Sequence, residues 1–141
     1  MDTEGADSFI NRTRAGTITE LTSDDNVSTR KKKFLFRVIE TLHSAGNLTY
    51  KTEKSVKRLA RKLDLFATCS ISPLSVIISF NTSSLQLNPK NSEVYTFGLT
   101  SGLDCSKLQA THQLLFDIES DNIDFMDAEI KLAQIEYTPQ L

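Results

Sequence analysis

Two stretches of the chain carry apolar residues at every third or fourth position, which is the period of an α-helix. The first stripe comprises Phe34, Leu35, Val38, Ile39 and Leu42. Gly46 and Asn47 follow this stripe, and a glycine at such a place typically ends a helix. The second stripe comprises Val56, Leu59, Ala60 and Leu63. With Thr49 as the expected N-cap of the second helix, the pattern predicts a helical hairpin that begins near Ser28 or Thr29.

The residue pattern then changes from one typical of helices to one typical of strands. Residues 66–72 and 75–80 are rich in β-branched and aromatic side chains, and Ser72-Pro73 supplies the turn between them. A polar loop from Asn81 to Asn91 follows, and residues 93–99 alternate well enough for a third strand. These segments predict a three-stranded antiparallel meander.

Two further helices are predicted after the strands. Asp104 can cap a helix that runs to about Ile118, with Leu108, Leu115 and either Thr111 or His112 facing inward. Asp124 can cap a fourth helix, whose stripe comprises Phe125, Ala128, Leu132 and Ile135. The order of elements predicts an α+β fold, in which an αα-hairpin, a three-stranded antiparallel sheet and two further helices place the helices on one face of the sheet.

The length and composition suit one domain behind an N-terminal tail. Residues 1–29 show no helical or strand period and are rich in polar residues, so we expect a disordered tail, with one domain over residues 30–141. No apolar stretch approaches the ~20 residues of a membrane helix. The N-terminus lacks the features of a signal peptide, so a cytoplasmic location with Cys69 and Cys105 reduced is expected.

The net charge of −2 hides a strong polarisation along the chain. Residues 1–29 carry −4, residues 30–64 carry +8, and residues 65–141 carry −6. Much of the positive charge falls on the polar faces of the second helix, at Lys51, Lys54, Lys57, Arg58, Arg61 and Lys62. These side chains could pair with the acidic half of the same fold, or contact an anionic membrane surface or a membrane-embedded partner. Nucleic acid is not expected, because Tyr50 is the only aromatic residue there and no recognition motif accompanies it.

Motifs for catalysis, metals or cofactors are absent from the sequence. Neither His43 nor His112 has a cysteine or carboxylate at metal-ligand spacing. The acidic run that starts at Asp117 lacks the glycine and the glutamate that a calcium-binding EF-hand loop requires at its sixth and twelfth positions. The chain has no nucleotide-binding glycine motif and no nucleophile elbow. No metal and no cofactor is therefore expected.

Several segments carry a resemblance to a known family. The first is Leu42-His-Ser-Ala-Gly-Asn-Leu-Thr-Tyr-Lys-Thr-Glu53. The others are Ser72-Pro73 with the strand after it, Gly102-Leu-Asp-Cys-Ser-Lys-Leu108, His112-Gln-Leu114, and the region of Asp121 and Ala128. In this order they resemble the soluble N-terminal domain of the threonine/serine exporter family, in the eukaryotic branch with the fungal pheromone-regulated membrane proteins. Four residues depart from the family pattern: Lys51 stands where arginine is usual, Asn47-Leu48 replaces an alanine-rich pair, and Cys105 replaces an apolar residue.

This resemblance implies a cytosolic module that precedes, or pairs with, a transporter of small hydroxy-amino acids or related organic acids. The expected partner is a transmembrane transporter domain or chain, because family members continue into membrane helices that this chain lacks. A regulatory or assembly role at the cytoplasmic face of the membrane follows, and homo-oligomer formation stays open. Two alternatives are a small hydrolase-like enzyme and a sensor of small amino acids or organic acids. The positions that match the family, and that a catalytic site would use, are Tyr50, Glu53, Asp104 and His112, together with Pro73.

Overall fold

The computed structural model describes residues 27–81 and 93–137. The elements in these ranges are α1 (Val27–Ser44), α2 (Thr49–Lys62), β1 (Phe66–Ile71), β2 (Ser75–Asn81), β3 (Glu93–Gly98), α3 (Cys105–Glu119) and α4 (Phe125–Glu136). The α+β fold and the predicted order of its elements are confirmed. Helix α1 begins at Val27, inside the last three residues of the predicted tail. The rest of the tail and residues 82–91 of the predicted loop lie outside the described residues.

Helix α1 is the central element of the core. The predicted stripe of apolar residues is fully buried, and Phe36, which lies outside that stripe, is buried as well. The ring of Phe36 contacts the sheet, with ring centroids 5.3 Å from Phe97 and 5.4 Å from Tyr95. The ring of Phe34 meets Phe125 of α4 at 5.4 Å. Since α1 has the sheet on one side and α4 on another, its buried surface is wider than a single amphipathic stripe.

The three strands form an antiparallel meander in the order β1-β2-β3, as predicted. The register places Cys69 opposite Ile78, and Ile78 opposite Tyr95. Alternate residues of β2 point to opposite faces, so Val76 and Ile78 are buried while Ile77 is exposed. Helices α1 and α2 therefore cover one face of the sheet. Each strand begins at the predicted residue and ends one residue away from the predicted C-terminal limit.

The two aspartate caps are confirmed. An Oδ1 atom of Asp104 accepts a hydrogen bond from the Lys107 amide at 3.0 Å, and Asp124 accepts one from the Asp127 amide at 2.9 Å. Of the two residues proposed to face inward from α3, Thr111 is buried and His112 is exposed. The Thr111 hydroxyl is satisfied by donating to the Lys107 carbonyl at 2.8 Å, which is why a polar residue is tolerated there.

The predicted N-cap at Thr49 is wrong by one residue. Leu48 occupies the N-cap position, no side chain caps the helix, and Thr49 is already the first helical residue. The physical reason is the carbonyl of Leu48, which accepts hydrogen bonds from both the amide and the hydroxyl of Thr52. The Thr52 hydroxyl in turn accepts a 2.8 Å hydrogen bond from the Asn47 side chain. The turn is therefore fixed by the side chains of Asn47 and Thr52 rather than by that of Thr49.

The loop between β3 and α3 packs directly on the C-terminal end of α1. Gly46 has a φ of +103°, the left-handed conformation that ends a helix most easily with glycine. The amide of Asp104 donates to the Ala45 carbonyl at 3.0 Å. At Gly102 the two backbones approach so closely that a Cβ atom would lie 2.7 Å from the Ser44 carbonyl oxygen. Glycine is therefore required at position 102 by contact between two backbones.

Substitution of this glycine should destabilise the fold. We expect Gly102→Ala to lower the free energy of unfolding by about 1–3 kcal/mol, because two packed backbones must separate to admit the methyl group. Gly98→Ala is the matched control, since the nearest atom to its added Cβ is 3.8 Å away, and it should change stability by less than about 0.5 kcal/mol. Urea unfolding of both variants measures the difference. Equal stabilities would contradict the close approach.

Candidate functional site

The outer surface of α2 carries the densest group of exposed cations. Lys51, Lys54, Lys57 and Arg61 are all exposed, and their spacing of three, three and four residues places them along one side of the helix. In the part of the chain that the structure describes, none of the four forms an ion pair. These four residues are called the basic face below.

Other cations of α1 and α2 pair with the acidic second half of the chain. The pairs are Arg30 with Glu129, Lys32 with Glu93 (2.7 Å), Arg37 with Glu136 (2.6 Å), Arg58 with Glu119 (3.3 Å) and Lys62 with Asp121 (2.8 Å). Two of the six predicted surface residues, Arg58 and Lys62, are thus paired with carboxylates at the C-terminal end of α3. Partly exposed pairs of this kind add little stability, but they neutralise the charge locally. The unpaired positive charge of α2 is concentrated on the basic face.

Glu53, a predicted catalytic candidate, holds two elements together. Its Oε2 atom accepts a hydrogen bond from the Ile71 amide at 2.8 Å. Strand β1 lies at the edge of the sheet that the described residues form, so within residues 27–81 and 93–137 this amide has no neighbouring strand to bond to. The carboxylate therefore supplies the missing acceptor and ties α2 to the sheet.

Asp104 and His112 lie near the turn that follows α1. Besides capping α3, Asp104 bonds through its amide to Ala45. His112 Nε2 lies 3.3 Å from the Asn47 Oδ1 atom, and the Asn47 amide group donates to Thr52. These contacts join α3 to the turn between α1 and α2.

The remaining candidates take separate positions. Tyr50 is exposed, with the Lys54 Nζ atom 6.0 Å from the centre of its ring. The carbonyl of Pro73 bonds to His43 Nε2 at 2.8 Å, and His43 itself is buried. Among the described residues, no hydrogen bond joins any two of Tyr50, Glu53, Asp104 and His112, and no group of three ligating side chains could hold a metal. Catalysis by these residues stays a prediction.

A cleft of about 220 Å³ opens beside the C-terminal half of α1. Its polar lining comprises Glu40, Thr41, Ser44, Thr100, Lys107 and Glu136. The Lys107 ammonium donates to the Glu136 carbonyl oxygen at 3.3 Å. Partial burial and the neighbouring Glu136 carboxylate raise the pKa of Glu40. The cleft thus presents charges of both signs to solvent.

The chain matches, over residues 33–141, the family described as "Putative threonine/serine exporter". This match covers more than half of the chain and every described element except the first six residues of α1. The chain belongs to the threonine/serine exporter family. The family resemblance of the sequence motifs is thereby confirmed, and with it a relation to amino-acid transport. No curated protein and no solved structure gives a significant match to the chain.

Members of the exporter family are membrane transporters. Within residues 27–81 and 93–137, no helix has both the length and the apolar character needed to cross a bilayer. The described part of this family member consists of four helices and one three-stranded antiparallel sheet.

The sequence interpretation missed a group of exposed leucines. Leu48, Leu74 and Leu103 are 55%, 76% and 76% exposed. Each follows a turn-forming pair, namely Gly46-Asn47, Ser72-Pro73 and Ser101-Gly102. An apolar residue directly after a turn signal is the pattern that could have revealed them, because turn residues lie at the surface.

The contact of Glu53 with Ile71 can be tested by substitution. Glu53→Ala leaves an edge-strand amide without its acceptor, and we expect a loss of about 1–3 kcal/mol in the free energy of unfolding. Glu53→Gln retains an acceptor oxygen and should lose less. Lys54→Ala, one residue away and exposed, serves as the control and should change stability by less than about 0.5 kcal/mol. If Glu53→Ala and Lys54→Ala unfold at the same urea concentration, the structural role is refuted.

His112 should make stability depend on pH. Partial burial, followed by the charges of Lys51 and Arg58, lowers the pKa of His112 below its ordinary value of 6.5. Below pH ~6.5 the unfolded chain then binds more protons at this residue than the folded one, so stability falls as the pH decreases from 7.5 to 5.5.

Urea unfolding at pH 7.5 and pH 5.5 measures the contribution of His112 to this pH dependence. The midpoints are compared between the native sequence and His112→Gln. The variant should lose less stability over this interval than the native sequence. An identical loss in both proteins would show that the histidine does not contribute.

Proposed function

We propose that this chain is a non-catalytic module of a threonine/serine exporter-related transport protein, with a regulatory or assembly role at the cytoplasmic face of the membrane. The basic face of α2 is the surface that would hold it there, by attraction to anionic lipid headgroups. Family membership supports the link to transport. The role of the module and its position are the proposal.

The observation that carries the proposal is the division of cations into two groups. Five cations of α1 and α2 pair with carboxylates of the same chain, whereas the basic face has no such partner among the described residues. Unpaired, clustered lysine and arginine side chains remain free to approach an anionic surface, where each is worth about 1 kcal/mol. The Tyr50 ring beside Lys54 suits the same location, since aromatic residues favour the membrane interface.

Flotation with lipid vesicles tests this function. The full chain should float with vesicles that contain phosphatidylserine and much less with phosphatidylcholine alone. Raising the salt from about 0.1 M to about 1 M shortens the Debye length from ~10 Å to ~3 Å, so binding should weaken. Lys54→Gln combined with Lys57→Gln should weaken binding by about 2 kcal/mol, or roughly 30-fold.

The matched control is Lys33→Gln combined with Lys131→Gln. It removes the same net charge from α1 and α4 and should weaken binding less than the change on the basic face. Equal losses of affinity in the two double variants would show that binding depends only on net charge, which would contradict a specific role of the basic face. If the chain co-purified with a transporter of the family but bound no vesicles, its partner would be a protein rather than the lipid surface.

The two alternatives from the sequence have unequal support. For a hydrolase, the candidate residues would have to converge, and the described contacts engage Glu53, Asp104 and His112 separately. For a sensor of small amino acids, the cleft beside α1 presents Glu40 and Lys107, whose charges are opposite to those of an amino acid's ammonium and carboxylate groups. Both stay predictions, and sensing is the second candidate.

A further inference from the structure

Three connections of the chain meet around the C-terminal end of α1. The turn between α1 and α2 continues directly from this end. The turn between β1 and β2 reaches it through the bond from His43 to the Pro73 carbonyl. The connection from β3 to α3 reaches it through the bond from the Asp104 amide to Ala45. The β3–α3 connection also joins the β1–β2 turn, because the Leu99 amide donates to the Leu74 carbonyl at 2.8 Å.

Each of the three connections presents one exposed leucine. Leu48, Leu74 and Leu103 belong to three different segments, yet the contacts just described place all of them at the same end of the fold. This set is called the leucine end below. Leu74 and Leu103 are each 76% exposed, so most of each side chain protrudes into solvent. Three protruding apolar side chains grouped at one end of a fold make that end a candidate interaction site.

The surroundings of the leucine end indicate which partner it fits. Tyr50 is 56% exposed on the first turn of α2, two residues after Leu48, and Lys51 and Lys54 of the basic face lie beside it. Apolar side chains bordered by an aromatic ring and by cations match the layering of a bilayer surface, where acyl chains lie beneath anionic headgroups. Side chains that protrude from separate turns suit insertion into lipid better than contact with a second rigid surface.

We infer that the leucine end inserts into the interfacial layer of an anionic membrane while Lys51 and Lys54, at the adjoining end of the basic face, contact the headgroups. This inference rests on the proposed function, which brings the chain to a membrane, and adds an apolar contact and an orientation to it. The end of α1 that carries the three connections would point toward the bilayer. The acidic turn between α3 and α4, with its exposed Asp121 and Asp124, belongs to the opposite end of α3.

The first experiment separates the apolar from the electrostatic contribution. Leu74→Ser combined with Leu103→Ser should weaken binding to phosphatidylserine vesicles about tenfold or more, and the loss should persist at high salt. Met126→Ser combined with Ile130→Ser is the matched control, since it removes two exposed apolar side chains from α4 and should leave binding unchanged. Both double variants alter exposed residues, and their urea midpoints verify that they remain folded.

The second experiment reports insertion directly. The chain contains no tryptophan, so Leu103→Trp introduces a single tryptophan at the leucine end, whose fluorescence can be followed selectively. Vesicles whose acyl chains carry bromine should quench its fluorescence. Met126→Trp on α4 is the control and should not be quenched.

The outcomes distinguish this inference from the function on which it rests. Salt-sensitive vesicle binding that is unchanged in the leucine variant, without quenching at position 103, overturns the inference and leaves the basic face intact. Loss of binding in the leucine variant, with quenching at position 103 and no specific effect of the lysine changes, supports insertion of the leucine end. The same result overturns the electrostatic role of the basic face. Absence of binding to every vesicle overturns both. Binding to a purified transporter that depends on the leucines, without quenching by brominated lipid, overturns lipid as the partner.

Discussion

The whole structure depends on the burial of α1 from several sides. Its apolar residues contact the sheet through Phe36 and the last helix through Phe34, so one helix joins the two halves of the fold. Burying each large side chain is worth about 1.5–3 kcal/mol, and α1 contributes six of the fully buried ones. Because this helix must be enclosed, the strands have to follow the hairpin on one side and the two C-terminal helices have to return on the other. The positions of all three connections at the end of α1 follow from that enclosure.

The charges of the chain follow the same arrangement. The return of α3 and α4 brings the acidic second half of the chain beside the basic first half, and the described residues form five ion pairs across the contact. Individually such pairs contribute little to stability. Their effect is to select which cations remain available, since Arg58 and Lys62 pair with Glu119 and Asp121 whereas Lys54 and Lys57 have no such partner among the described residues. The surface charge relevant to a partner is therefore decided by tertiary packing rather than by the number of lysines.

Periodicity was sufficient to predict the element order and most of the core, because each stripe is buried by simple amphipathic packing. It failed where a residue's environment depends on distant segments. Phe36 lies off the α1 stripe and is buried only because the sheet covers a second side of the helix. The choice between Thr111 and His112 required the position of the neighbouring helices, and the start of α2 required the side-chain contacts of Asn47 and Thr52. The partners of Arg58 and Lys62 and the grouping of three leucines likewise depend on contacts between segments far apart in sequence.

The residues that carry the family resemblance are engaged mainly in building the fold. Gly46 and Gly102 permit two backbones to touch, Glu53 satisfies an edge-strand amide, and Asp104 caps a helix. The motif therefore specifies how the end of α1 is assembled. This end of the fold also presents the three leucines and the adjoining part of the basic face, which form the surface that we propose for contact with a membrane.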